Sequence, residues 1–327
     1  MILDNKLSNQ EIIVLDGATG SEIARLGGAM DAAAWCGVAN KTHPEVVRQV
    51  HEEYIRAGAD IVTTNTFATS RHVLAGAGLA DETVSINTKA VELAREAVNN
   101  VAPDRPVAIA GSMSCNRAWI PGTVSPDPRF RPTPAQEADN YRELAQTLAA
   151  AGVDLLLMEM MRDIDQASLA IAAAVETGLP VWIGMSCSVL TDGSVTVWDQ
   201  HLEDPASRLS PDHTRPVATY SYVTLIEAMM SFKPQVMGVM HSTIDATDPG
   251  LKTLFEQWDG PVMVYPETSS QLRRGVAAHA VEPAVFAAHC RDWVEGGVQI
   301  IGGCCGTTIE HSRAMVNELP DAIGARR

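Results

Sequence analysis

Val298-Gln299-Ile300-Ile301-Gly302-Gly303-Cys304-Cys305-Gly306-Thr307 decides how the rest of this chain is read. Its apolar, β-branched first half predicts a buried strand, and the paired glycines predict where that strand stops. Neighbouring residues of a regular strand point to opposite faces, so two adjacent thiols converge only on irregular backbone. The glycines flanking Cys304 and Cys305 supply that freedom. Converging thiolates are strong zinc ligands. A free cysteine is equally often a small buried apolar residue, so the pair alone leaves both readings open.

Upstream, short apolar runs ending in a polar or glycine-rich exit recur along the chain. Ile12 to Leu15 runs into Asp16, and the Ala59 to Phe67 stretch carries Asn65 at its exit. Pro106 to Gly111 ends at Ser112, Val153 to Met158 delivers Glu159, and Val181 to Met185 delivers Ser186 and Cys187. Gln235 to Met240 delivers His241, Pro261 to Tyr265 delivers Glu267, and the opening segment is the eighth. Helical patterns lie between them. Thr42-His43-Pro44-Glu45 and Thr133-Pro134-Ala135-Gln136 have capping-box spacing, and further helices are predicted near Asp81–Val98, Asp165–Thr177, Tyr222–Met230, Pro283–Glu295 and Ile309–Asn317. Eight strands alternating with helices predict an α/β fold, a (β/α)8 TIM barrel formed as a single domain over residues 1–327. The rival is a doubly wound open sheet. It is disfavoured because no GxGxxG follows the first strand and no composition break divides the chain. Two stretches, Ser114–Pro132 and Thr191–Pro216, are too long for ordinary connections and are expected to be functional loops.

Composition narrows the function classes. With 46% hydrophobic residues the chain has ample material for a large core, and its net charge of −16 argues against nucleic acid or an anionic membrane as partner. No run approaches a membrane span, and Met1-Ile2-Leu3-Asp4-Asn5-Lys6 lacks the basic region and apolar run of a secretory signal. Six cysteines in a chain this long do not make a disulfide scaffold; a reducing cytoplasm suits them. A homo-oligomer is compatible with the sequence but not specified by it.

In a barrel of this kind the active site lies at the carboxyl ends of the strands. Asp16, Asn65, Ser112, Glu159, Cys187, His241, Glu267, Cys304 and Cys305 are therefore expected around one mouth. Asp16 and Asn65 also have a plain reading as turn residues. Glu159 is harder to set aside, because a carboxylate after five apolar strand residues must find a partner or water. His241 beside the two cysteines makes a His-Cys-Cys set, and catalytic zinc commonly takes three protein ligands with a fourth position open. Cys187 and Cys115 compete with His241 for the third place.

The chain resembles the zinc-dependent homocysteine S-methyltransferase family, which includes betaine– and S-methylmethionine-dependent enzymes and the homocysteine domain of cobalamin-dependent methionine synthase. The matching segments are Leu15 to Gly20, Gly58 to Phe67, Gly152 to Glu159 and, most specifically, Gly302-Gly303-Cys304-Cys305-Gly306-Thr307. The resemblance implies zinc on Cys304 and Cys305, with Asp16 and Glu159 holding the amino group of homocysteine. It further implies transfer of a methyl group from a sulfonium, quaternary ammonium or methylated-cofactor donor to that thiol, giving methionine. Two positions depart from the family pattern. Relatives carry a cysteine ligand after a Gly-hydrophobic-Asn run where this chain has Gly238-Val239-Met240-His241, and Tyr265-Pro266-Glu267 stands where many have Tyr-Pro-Asn. Glu267 is accordingly expected to offset the charge of the altered ligand set or to read a cationic part of a substrate. Trp35, Trp119 and Trp198 are either loop packing or aromatic faces for a cationic methyl donor. The alternatives are another zinc or acid–base barrel enzyme, or a non-catalytic zinc- or thiol-binding relative.

Overall fold

The structure, a computed structural model, describes residues 3–123, 126–190, 192–199, 220–268 and 281–326. Eight parallel strands run in order around a barrel: β1 (Ile13–Val14), β2 (Ile61–Thr63), β3 (Ala108–Ser114), β4 (Leu155–Met161), β5 (Val181–Met185), β6 (Val236–Thr243), β7 (Val262–Glu267) and β8 (Ile300–Ile301). Each pairs with its sequence neighbour, and β8 pairs with β1 through Ile13–Ile300 and Val14–Ile301. Closure between β1 and β2 is made by the parallel bridge Leu15–Ile61, with Asp60 N donating to Val14 O at 2.8 Å.

Alternation along the strands sorts the core into two layers. Ile13, Leu15, Ile61, Ala108, Ala110, Leu155, Leu157, Trp182, Val236, Met263 and Ile300 fill the barrel interior. Their neighbours, among them Val14, Val62, Ile109, Leu156, Ile183, Met237, Val264 and Ile301, face the surrounding helices. This is the two-residue period of a strand buried on both faces.

The helix Pro134–Ala151 begins with the capping box predicted from Thr133 and Gln136. The box expected at Thr42 does not form. Thr42 ends a short helix, Ala39–Thr42, and its hydroxyl donates to Val38 O, so His43 becomes the residue before helix Pro44–Ala57. The amino-terminal end of the barrel is closed by helix Asp4–Ser8, where Gln299 Nε2 donates to the carbonyls of Lys6, Leu7 and Glu11 at 3.1–3.2 Å. Ligand access is therefore confined to the other end, where the predicted polar residues lie. Among the described residues no helix is long and apolar enough to cross a membrane. Most of the stretch Thr191–Pro216 lies outside the described residues. Its beginning forms an antiparallel hairpin, Cys187–Val189 with Val195–Val197.

Candidate active site

The Cys-Cys segment is held by backbone contacts to both neighbouring strands. Gly302 follows β8 at a point where a Cβ would lie 2.7 Å from Asp16 O and 2.8 Å from Leu15 Cβ, so only glycine allows this approach. Gly303 N donates to Asp16 O at 3.1 Å, Cys304 N to Pro266 O at 2.9 Å, and Thr268 N to Cys305 O at 2.9 Å. Gly306 then turns the chain back at φ +81°, and Thr307 ties the turn by donating from N and Oγ1 to Cys304 O. The outcome is irregular backbone with both thiols on one side, Sγ to Sγ 4.0 Å apart.

His241 reaches the same point by a different device. In regular alternation Val239 faces the helices and Met240 the interior, so His241 would face the helices again. Instead the β6–β7 register shifts between Met240 and Thr243, and His241 takes a left-handed φ of +44°. The imidazole turns to the mouth and brings Nδ1 within 3.5 Å of Cys304 Sγ. β4 carries a matching bulge between Met158 and Met161, with Met160 at φ +59°. The two bulges meet where Met160 N points at Met240 Sδ, 3.0 Å away. Such irregularities are frequent beside active sites, where they re-aim side chains.

The ligand atoms of His241, Cys304 and Cys305 all lie within 4.8 Å of one another. Tetrahedral zinc, with Zn–S near 2.3 Å and Zn–N near 2.0 Å, sets S···S at roughly 3.8 Å and S···N at roughly 3.5 Å. The observed 4.0 Å and 3.5 Å match those edges, so the residues present fit a metal ion. A hydrogen bond from Cys304 holds the Cys305 thiol well below its usual range, and the same bond, with burial, raises that of Cys304. Cys187 and Cys115 are not in this group. Cys187 is buried against Ser242 and Ala246 O, and Cys115 lies against Met161.

Two carboxylates adjoin the ligands. Asp16 accepts from Thr63 N at 2.7 Å and from Thr63 Oγ1 at 2.8 Å, while burial pushes its pKa up to about 8 against those bonds, with Glu159 adding to the rise. Glu159 accepts from the Ser112 hydroxyl. Burial raises its pKa to about 7, opposed by that hydrogen bond and reinforced by Cys305. A pair of acids held partly protonated for want of positive charge is suited to a cationic group. Glu267 ends β7, buried and in register with Thr243.

Asn65 is placed at the exit of β2, but its amide is engaged in the wall. Nδ2 donates to Cys36 O at 2.9 Å and Asn40 Oδ1 at 3.0 Å, and Oδ1 accepts from the Cys36 thiol at 2.9 Å. Trp198 is only 2% exposed, with its edge on the His241 ring at 5.2 Å between centroids and the Arg162 guanidinium over its face at 4.8 Å. Thr63, Thr307, Met160 and Arg162 escaped the sequence reading. Thr63 and Thr307 stand in segments whose importance the sequence marked, whereas nothing local distinguishes Met160 or Arg162.

The fold and site together define a (β/α)8 barrel whose mouth brings a His-Cys-Cys cluster, of a kind that could hold a metal ion, beside the buried Asp16 and the half-buried Glu159. The homocysteine S-methyltransferase family model matches residues 13–319, and the chain belongs to that family. It is accordingly an S-methyltransferase, and the family's reaction places a methyl group on the sulfur of homocysteine. Among solved structures, the metallated form of the homocysteine methyltransferase MmuM from Escherichia coli is 20% identical with a TM-score of 0.71, covering 97% of this chain and 100% of that one. The oxidized form is 22% identical with a TM-score of 0.73, covering 97% and 99%. The apo form is 20% identical with a TM-score of 0.65, covering 97% and 100%. These likenesses establish the same barrel fold.

Proposed function

We propose that this protein, one barrel domain over residues 1–327, moves a methyl group from a small donor to homocysteine and uses zinc held by His241, Cys304 and Cys305. The convergence of those three ligand atoms carries the reading. Zinc held there would supply the Lewis acidity that makes a thiol a thiolate at neutral pH. Asp16 and Glu159 bind the ammonium group of the acceptor, which replaces the missing positive charge between them. Ser112 orients Glu159 through its hydrogen bond, and Asn65 braces the β2 exit against residues 36 and 40. Glu267 adds negative charge to a ligand set that has an imidazole in place of one thiolate. The barrel aligns acceptor and donor for in-line displacement. The free state of all six cysteines supports a reducing compartment such as the cytoplasm.

The test is zinc stoichiometry together with mass detection of methyl transfer over a panel of donors. Near-stoichiometric zinc in the wild type, lost in Cys304→Ser and Cys305→Ser along with methionine formation, is expected. Full activity in both variants would refute the metal-dependent reading. His241→Cys adds a second check: homocysteine methylation seen only in that variant would mean that the natural acceptor is another thiol.

A further inference from the structure

Tyr265 carries a hydroxyl for which packing alone has no use. Its ring extends from β7 into the barrel interior, in the layer against which Met160 and Cys304 pack, and its oxygen is buried with no hydrogen bond among the described residues. It ends against Gly184 of β5, where a Cβ would collide with Tyr265 Oη and lie 2.8 Å from Met240 Cγ. A glycine inside a strand, which weakens the strand, thus makes room for the hydroxyl. An unbonded buried hydroxyl costs stability as well, and phenylalanine would fill the same core without that cost.

Gly184 also fixes where the hydroxyl stands relative to the site. Met158 pairs with Ile183 and Met161 with Met185, so Glu159 and Met160 face Gly184 across the β4 bulge. Glu159 commits Oε2 to the Ser112 hydroxyl, and its Oε1 has no partner among the described residues. An unbonded donor and an unbonded acceptor are therefore neighbours on the floor of the mouth. Burial holds the phenol well above its usual range, with Glu159, Cys304 and Asp16 adding to the rise, so it stands as an O–H donor.

We propose that Tyr265 is a positioning residue of the acceptor site, whose hydroxyl donates to Glu159 Oε1 when that carboxylate closes on the ammonium group of homocysteine. The inference rests on the acceptor reading above. A buried acid with no cation beside it is partly neutral and attracts a donor weakly. Facing an ammonium group it is fully charged, and hydrogen bonds to charged groups are the strong ones. Ser112 then holds one oxygen from the β3 side and Tyr265 the other from the β5 side, so the carboxylate cannot rotate away from the ammonium group. The selectivity this adds is for thiols that carry an ammonium group over thiols that lack one. Tyr265 touches no reacting atom, and its effect falls on acceptor binding.

Calorimetry on the zinc-loaded full chain compares homocysteine with 4-mercaptobutanoate, which has the same thiol and carboxylate but no amine. The proteins are the wild type, Tyr265→Phe, Glu159→Gln and the double variant. Tyr265→Phe is expected to raise the Kd of homocysteine roughly 10- to 100-fold and leave that of 4-mercaptobutanoate unchanged. Because the hydroxyl acts through Glu159, adding Tyr265→Phe to Glu159→Gln should change the homocysteine Kd by less than about 2-fold. Equal weakening of both thiols, with or without a lower melting temperature, would make the ring a packing element and overturn the proposal. So would an unchanged homocysteine Kd, independent effects in the double variant, or no homocysteine binding by the wild type. Mass detection of methyl transfer to homocysteine on the same wild-type preparation separates the two readings. The expected binding pattern without transfer refutes the proposed reaction and leaves Tyr265 as a positioning residue of an aminothiol site, whereas transfer without that pattern refutes only the role of Tyr265.

Discussion

Gly302→Ala isolates the contact on which the site is built. The added Cβ would meet Asp16 O at 2.7 Å, Leu15 Cβ at 2.8 Å and Leu15 O at 3.1 Å, and ordinary contact begins near 3.4 Å. All three atoms are backbone or directly attached to it, so no rotamer change relieves the clash. β1 must recede by about 0.7 Å, which stretches the bonds from Leu15 N to Ile301 O (2.8 Å) and from Gly303 N to Asp16 O (3.1 Å). Overpacking of this kind costs about 1–3 kcal/mol, and weakening a buried backbone bond adds about 1 kcal/mol, for a total of about 2–4 kcal/mol. For 327 residues, at about 2.1 cal/mol/K of unfolding entropy per residue, the melting temperature should fall by roughly 3–6 °C.

The functional consequence separates the two halves of the site. Cys304 N and Cys305 O are tied to β7 and the residue after it, on the side away from the clash, so zinc stoichiometry should persist. Asp16 moves with β1, and displacements approaching 1 Å cost up to 10²-fold in rate, so kcat/KM for homocysteine should fall roughly 10- to 100-fold, chiefly through KM. Thermal melting, metal analysis and steady-state kinetics on one preparation decide the matter. A Gly302→Ala variant with unchanged melting temperature and KM would refute the close-approach argument. Loss of zinc with homocysteine KM preserved would show that the strain runs toward β7 instead.

Three other substitutions test separate parts of the reasoning. Asp16→Asn keeps partners for Thr63 N and Oγ1 but removes the charge, so homocysteine KM should rise roughly 10- to 100-fold with little change in melting temperature, as read by kinetics and calorimetry. Trp198→Leu removes the ring edge from His241, and titration with cobalt, followed by its visible spectrum, should show metal affinity lowered roughly 2- to 10-fold. His51 is fully buried with neither ring nitrogen hydrogen-bonded, and burial lowers its pKa from 6.5 to about 4. Between those values the unfolded chain binds a proton that the folded one refuses, so this residue makes stability fall as pH drops from 6.5 toward 4. The full swing is about 3 kcal/mol. Denaturant melts of His51→Leu should show a pH dependence flatter by that amount, and a wild-type slope in the variant would sink the assignment.

The barrel was legible because each strand is a short apolar run closed by a polar residue, and the same feature marked most of the mouth. Helix Ile244–Gln257 was not. Asp248-Pro249-Gly250 reads locally as a break, since proline inside a helix removes a hydrogen bond. The helix forms because its surroundings demand it. Gly250 packs where a Cβ would sit 2.5 Å from Cys187 Sγ, and Trp293 Nε1 donates to Asp248 Oδ1 at 2.5 Å. Those partners are distant in sequence, so no window along the chain contains the cause.

The site's geometry was hidden for a related reason. Residue types told that His241 and Glu159 leave apolar strands, but alternation alone turns His241 away from the mouth. Its inward aim comes from a bulge whose pivot is His241 itself, at a φ favoured by glycine, and the facing bulge pivots on Met160. Each such residue costs about 1–3 kcal/mol and persists only where its neighbours over-determine it. Here those neighbours are the Met160–Met240 contact, the Trp198 edge and the bond from Ser242 Oγ to Met240 O. A histidine at 241 is thus more than an exchange of one ligand type for another. Its longer side chain reaches the cysteines from this strained backbone, and a shorter cysteine at the same position must draw the strand inward or leave the metal with two good ligands. His241→Cys should therefore hold zinc more weakly than the wild type even though thiolate is the stronger ligand. Zinc bound more tightly by that variant, in competition with a chromophoric chelator, would show that the bulge accommodates either residue and that its shape was not set by the imidazole.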